Sequence, residues 1–297
     1  MLRRTPRRTI AVYGLGIALA GAIGGCGGVD VNTLLEQLSE ARQIAGDMLV
    51  QFTKSADAAN RAVMADTDNA SVAFAQEAER ASAALQQDIN ALKPLLQGLG
   101  YTAETGLLND FLGRYAKYRE LDRRILDLAV ENTNLKGQRL SFGAGQDAAD
   151  AFRDSLEAVT AAAPADRWRV EALAAKAIAT VREIQVLQAP HIADADDAVM
   201  ARLEARMAGS ETAARAALAA LATLVAPSSR PRLGAATTSL DKFMSLNAEI
   251  IALSRRNTNV RSVALSLDQK RTLTAACEES LHALRDALAK RSARRTR

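Results

Sequence analysis

Asn132 and Asn257 each open an Asn-Thr-Asn triplet on an apolar stripe. Leu128 and Leu135 flank Asn132 at helical spacing, and Leu253 and Val260 do the same for Asn257. A carboxamide on such a stripe has two uses. It fixes the register of packed helices at some cost in stability, or it offers a polar contact to the carboxylate or amine of a ligand held between helices. Arg139, on the same segment as Asn132, is a bidentate partner for a ligand carboxylate. Arg123, Arg124 and Arg139 also read as helix-surface ion pairs. Asn134 and Asn259 fall off the stripe and are expected at the surface.

Other chemistry finds less support. His191 and Asp194 are near Pro190, and the only other histidine is His282. Metal-binding bundles need several His and Glu at three-residue spacing, and that pattern does not occur here. Gly209-Ser210 lacks the Gly-x-Ser-x-Gly surroundings of a nucleophile turn, and no glycine-rich phosphate loop follows a strand. The reading is therefore of a chain that is not an enzyme and needs no cofactor. Cys277 aligns with Phe152 between the two halves of the chain and is expected to be buried. With Cys26 as the only other cysteine, a disulfide framework is excluded.

The segments that carry these residues are related. Tyr118–Ser141 recurs as Phe243–Ser266 at an offset of about 125 residues, far longer than a solenoid repeat. Ala56–Met64 is echoed more weakly by Ala193–Met200. Apolar residues recur at three- and four-residue steps almost throughout. Helices are expected over 31–65, 70–98, 102 to about 142 and 146–162 in the first copy. Gly98-Leu-Gly100 and Gly143-Ala-Gly145 should break them. In the second copy Pro190 should kink a helix that begins near Arg167. Gly209-Ser210 and Pro227–Pro231 should separate the next ones, and Leu267-Asp268 should take the turn role of Gly143–Gly145. Four helices per copy with short turns predict an all-α fold of tandem antiparallel four-helix bundles in an elongated molecule. The expected division is 31–163 and 164–297.

Composition agrees. Of the 297 residues 48% are hydrophobic but only 4% aromatic, and alanine and leucine supply much of the apolar content; both favour helix. Lys and Arg number 38 against 34 acids, and four of the arginines lie in the first ten residues. Without those four the charges balance, so the basic pI is a poor argument for nucleic acid. Lys290, Arg291, Arg294, Arg295 and Arg297 form a second basic cluster, read as a solvated helix end.

The arginine-rich start, the short apolar stretch Ile10–Ile23 and the small residues after it form a secretory leader. Ile23-Gly24-Gly25-Cys26 resembles the lipobox of bacterial lipoproteins. The resemblance implies a signal peptide over 1–25, lipidation of Cys26, and a glycine-rich tether over 26–30. Gly27, where inner-membrane retention favours Asp, points to the outer membrane. Arg7-Arg8 fits the twin-arginine export signal loosely.

The segment from about Val31 to Val159, above all Leu121–Ala129 and Asn132–Phe142, resembles the four-helix-bundle sensor domain of methyl-accepting chemotaxis receptors. A weaker copy runs from Val170 to Leu288. The resemblance implies a bundle that detects a small metabolite, or a protein carrying one, and shifts a helix. The chain departs from the receptor pattern in having no transmembrane helix and no methylation coiled coil after the second copy. The expectation is therefore a lipid-anchored, periplasm-facing sensor-like bundle. It would bind a solute or partner between helices or at a homodimer seam, and pass the signal by contact to a chemoreceptor or sensor kinase. The alternative is a structural or adaptor lipoprotein without a ligand.

Overall fold

The computed structural model describes residues 31–162 and 167–295; among them it is helical, with no strand. The leader, the tether, Cys26 and the Pro164 break all lie outside the described residues. No helix among those described is long and apolar enough to cross a membrane.

α1 (Val31–Met64) and α2 (Asp68–Gly98) form a hairpin. Thr67 ends the turn in extended conformation, and its side chain accepts the Ala70 N–H, satisfying one orphan donor of α2. The two helices approach closely because Ala58, Ala59, Ala62, Ala75 and Ala78 line their contact. Gly100, at φ +66°, turns the chain into α3 (Thr102–Glu131); a residue without Cβ adopts this conformation at little cost.

From Thr102 the chain does not reverse until after Ala161. α3, α4 (Thr133–Leu140) and α5 (Gln146–Ala161) are pieces of one long helix. It is broken at Asn132 and widened into a π turn over Ser141–Gly145. After the α6 (Arg167–Ala193) and α7 (Asp197–Leu224) hairpin, α8 (Arg230–Arg256), α9 (Thr258–Leu265) and α10 (Arg271–Arg295) repeat this design. Their break is at Asn257 and their π turn spans Ser266–Lys270.

Three expected turns are thus absent, and one of them, Leu267-Asp268, lies within the second π turn. Gly143-Ala-Gly145 does not end a helix. Gly143 leaves the helical region (φ −100°, ψ −105°), but the local change only adds a residue to one turn. α4 and α5 both pack on α8, which holds them in line. Gly209-Ser210 lies inside α7, where the Ser210 hydroxyl donates to Glu183 on α6. One glycine in a helix costs only about 1 kcal/mol, less than α7 gains by burying Met207, Ala214, Leu218 and Leu221. Pro190 lies within α6, one turn before its end.

The consequence is an exchange of helices. The first core joins α1, α2 and α3 to α10: Phe52, Leu85, Leu92, Phe111 and Tyr118 pack with Cys277, Leu281, Leu284 and Leu288. The second joins α6, α7 and α8 to α5: Val181, Ile184, Leu221, Leu240 and Phe243 pack with Phe152, Leu156 and Val159. A division at 163/164 therefore follows the repeat but not the cores. Each repeat's last helix runs straight on past its own hairpin and completes the other repeat's bundle.

Candidate functional site at the waist

The two long helices cross between the cores, at their breaks. Asn132 (φ 52°, ψ 40°) and Asn257 (φ 53°, ψ 38°) are left-handed, the only described residues other than glycine with positive φ. Asn tolerates this region better than most residues. Each break leaves the next helix with unsatisfied N–H groups, and the other helix satisfies them. Thr258 Oγ1 accepts the Thr133 N–H at 3.1 Å, and Thr133 Oγ1 accepts the Thr258 N–H at 3.1 Å. Asn259 Oδ1 and Asn134 Oδ1 accept each other's backbone N–H, again at 3.1 Å. The carboxamides close the circuit, Asn134 Nδ2 donating to Asn257 Oδ1 (2.8 Å) and Asn259 Nδ2 to Asn132 Oδ1 (2.9 Å).

This clasp is also tied to its neighbours. Asn134 Nδ2 and Asn257 Nδ2 donate to the Ile192 and Asp194 carbonyls at the end of α6. Ser71 on α2 donates to the Ala129 carbonyl, which the break at Asn132 deprives of its helical partner. Asn132 and Asn257 thus take the register-fixing role, and Asn134, expected at the surface, is buried in the same network. The Asn132 Nδ2 group is buried without a hydrogen-bond acceptor among the described residues. Arg139 is not brought to this point; it pairs with Asp68 at 2.6 Å. Arg123 lines two shallow surface grooves between α2 and α3.

On the second-core side of the waist, His191 is fully buried. Its ring meets Ser254 Oγ at 2.9 Å and Glu204 Oε1 at 2.7 Å. Arg255 forks onto Glu204 and holds that carboxyl below the usual range, with burial acting against it and His191 adding to the effect. No three His, Cys, Asp or Glu are placed to hold a metal among the described residues. Burial pushes the Cys277 thiol up to about 12, so it is a core group rather than a nucleophile.

On the first-core side, the second π turn buries a charge. Lys270 is 2% exposed, and its Nζ is 2.8 Å from Oδ1 of the fully buried Asp122. This is ion-pair distance, but the groups are not aligned as a hydrogen bond: Lys270 Nζ and Asp122 Oδ2 both lack one. Tyr118 donates to Asp122 Oδ1 at a long 3.4 Å, and the ammonium is 5.8 Å from the Tyr118 ring centre. Burial, followed by the Asp122 charge, raises the Tyr118 hydroxyl well above its ordinary value. Lys270 lines a cleft of about 570 Å³ between the end of α1 and α9–α10, walled by Val63, Met64, Val263 and Leu267.

Lys270 and Asp122 are absent from the sequence reading, which took this stretch for a turn. A signal was present in the repeat itself. At the common offset Lys270 stands opposite Gly145, Asp122 opposite Asn247, Tyr118 opposite Phe243 and Cys277 opposite Phe152. All four differences fall in one region of the first core. No protein-family model, curated protein or solved structure matches the chain.

Proposed function

We propose that this chain is a lipid-anchored, periplasm-facing sensor-like bundle. In this reading it binds a small solute or a partner protein and relays the event by helix displacement. The observation that carries it is the pair of broken helices, α3–α5 and α8–α10, each running through both cores and clasped to the other at the waist. A shift of α10 in the first core is continuous, through the clasp, with α8 in the second. The breaks at Asn132 and Asn257 already interrupt the helical hydrogen-bond ladder, which is where a helix bends. The anchor is lipidated Cys26, the receiver a chemoreceptor or sensor kinase, and no catalysis is assigned.

The test has two parts. Spin labels on exposed positions of α2 and α7 should report a distance change when a stabilising metabolite, found by a melting-temperature screen, is added. Recovery of a chemoreceptor or sensor kinase with the lipidated protein should follow from envelopes. An unchanged distance with every stabilising compound would refute the relay.

The adaptor reading is favoured by a different observation. The side chains of Asn134, Asn257 and Arg139 are all engaged within the chain itself. An adaptor would show a rigid waist and no metabolite response.

A further inference from the structure

The chain contains two solutions to the same packing problem. In the second core, Asn247 accepts from Gln188 Nε2 at 2.8 Å, and Gln188 Oε1 accepts from Ser141 Oγ at 2.7 Å. This arrangement is neutral and hydrogen-bonded. Gly145 lies on the same π turn as Ser141, and a Cβ there would come within 2.9 Å of the Leu140 carbonyl oxygen. The equivalent place in the first core holds a lysine and an aspartate, both buried and both short of hydrogen bonds.

A buried ion pair of this kind is a poor source of stability, because desolvating both charges offsets their attraction. The other half of the chain holds a neutral arrangement at the corresponding place, built around a glycine where the first core has Lys270. The charged version therefore has another use, and the cleft that Lys270 borders supplies it.

The structure assigns this cleft to a small amphiphilic monocarboxylate, an aliphatic or aromatic acid with one anionic end. Its volume of about 570 Å³ is in the range of ligand sites, roughly 300–1,000 Å³. Val63, Met64, Val263 and Leu267 offer an apolar wall for the body of the ligand. Met64 and Leu267 are 75% and 67% exposed, large apolar side chains left uncovered by the described residues. An ammonium has three N–H groups, and Asp122 Oδ1 engages at most one. Nζ is sealed from solvent in the chain by itself, so a ligand carboxylate takes another only as the lysine turns outward into the cleft, and then turns an under-bonded charge into a charge-assisted hydrogen bond. Arg271 lines the same cleft and adds a second cation, whereas Glu278, further along α10, opposes a second anionic group and so disfavours dicarboxylates.

The site rests on the sensor reading only for its consequence. Because Lys270 belongs to the π turn that joins α9 to α10, drawing its ammonium toward a ligand moves the first core's fourth helix relative to the clasp.

The test uses the full mature chain with sodium octanoate as probe, and octanol and octylammonium as neutral and cationic controls. Octanoate should bind saturably by calorimetry and raise the melting temperature, with neither control doing so. Lys270→Met alone leaves the buried Asp122 with Arg119 Nη1, 3.8 Å away, in place of the ammonium, and so is not the deciding variant. The deciding variant is Asp122→Asn with Lys270→Met, which removes both buried charges together. It should fold, by circular dichroism and cooperative melting, and bind octanoate about tenfold more weakly or worse, about 1.4 kcal/mol. Equal binding of octanoate by this double variant, or equal binding of octanol by the parent, overturns the assignment. Octanoate binding without any spin-label distance change keeps the site and refutes the relay; a distance change with another metabolite but no octanoate binding does the reverse.

Discussion

Thr258 Oγ1 takes the first free N–H of the helix that begins at Thr133, so Thr258→Val removes a cap that belongs to a different helix. The substitution should cost about 1–2 kcal/mol in urea denaturation, the range of an N-cap loss. Thr133→Val should cost the same for the reciprocal reason. Their double mutant should depart from additivity by about 0.5 kcal/mol or more, because the two hydroxyls also touch each other at 3.2 Å. A second residue-scale prediction concerns Lys270→Met. It leaves the buried Asp122 carboxylate with only the longer Arg119 contact at 3.8 Å in place of the ammonium, and should lose about 3–5 kcal/mol, most of which Asp122→Asn in the same chain should restore.

At the scale of elements, the π turns are tested by glycine. Gly145→Ala places a Cβ against the Leu140 carbonyl oxygen, an atom of the backbone that cannot swing aside. It should lower stability by about 1–3 kcal/mol in thermal melts. The two poles of the first core differ in a way that acid should expose. Arg291 on α10 forks onto Glu104 at the start of α3 at 2.7 and 2.9 Å, and also covers the Tyr101 ring. This arginine holds the Glu104 carboxyl below its ordinary value, with burial acting against it. A depressed carboxylate contributes its stability above the ordinary glutamate range, and loses it as pH falls through the folded value. The parent's melting temperature should therefore fall more steeply below about pH 4 than that of Glu104→Gln. Arg291, read from sequence as part of a solvated helix end, is in this sense a clip between α3 and α10.

Helix content was legible because it depends on local period and local side chains. The direction of the chain after Gly143-Ala-Gly145 was not. A glycine pair marks a reversal and a π turn equally well, and the contacts that decide between them come from α8, about a hundred residues away in sequence. The burial of Asn134 was missed for a related reason. The caps of the Asn-Thr-Asn triplets are given in trans, so no reading of one triplet by itself finds a partner for it. The Lys270–Asp122 pair was reachable, but only by asking where the two repeats disagree rather than where they match.

For the whole molecule, the exchange of α5 and α10 makes a strong statement about the repeat as a unit. Residues 31–162 carry α1, α2 and α3 but lack the helix that completes their core, and carry instead α5, the counterpart of α10. Expressed alone, this piece should elute as a dimer in which each copy lends its α5 to the other, as measured by light scattering after gel filtration. A folded monomer would contradict the exchange.

The reciprocal capping at the waist has a further consequence for how the chain reaches this state. A half-formed molecule, with one hairpin and one long helix in place, leaves bare N–H groups at its break and nothing at hand to cover them. Water must serve until the second long helix arrives in register, and a slip of one residue would set threonine against asparagine. The crossing thus acts as a checkpoint in assembly, closing only when both halves are present and correctly aligned.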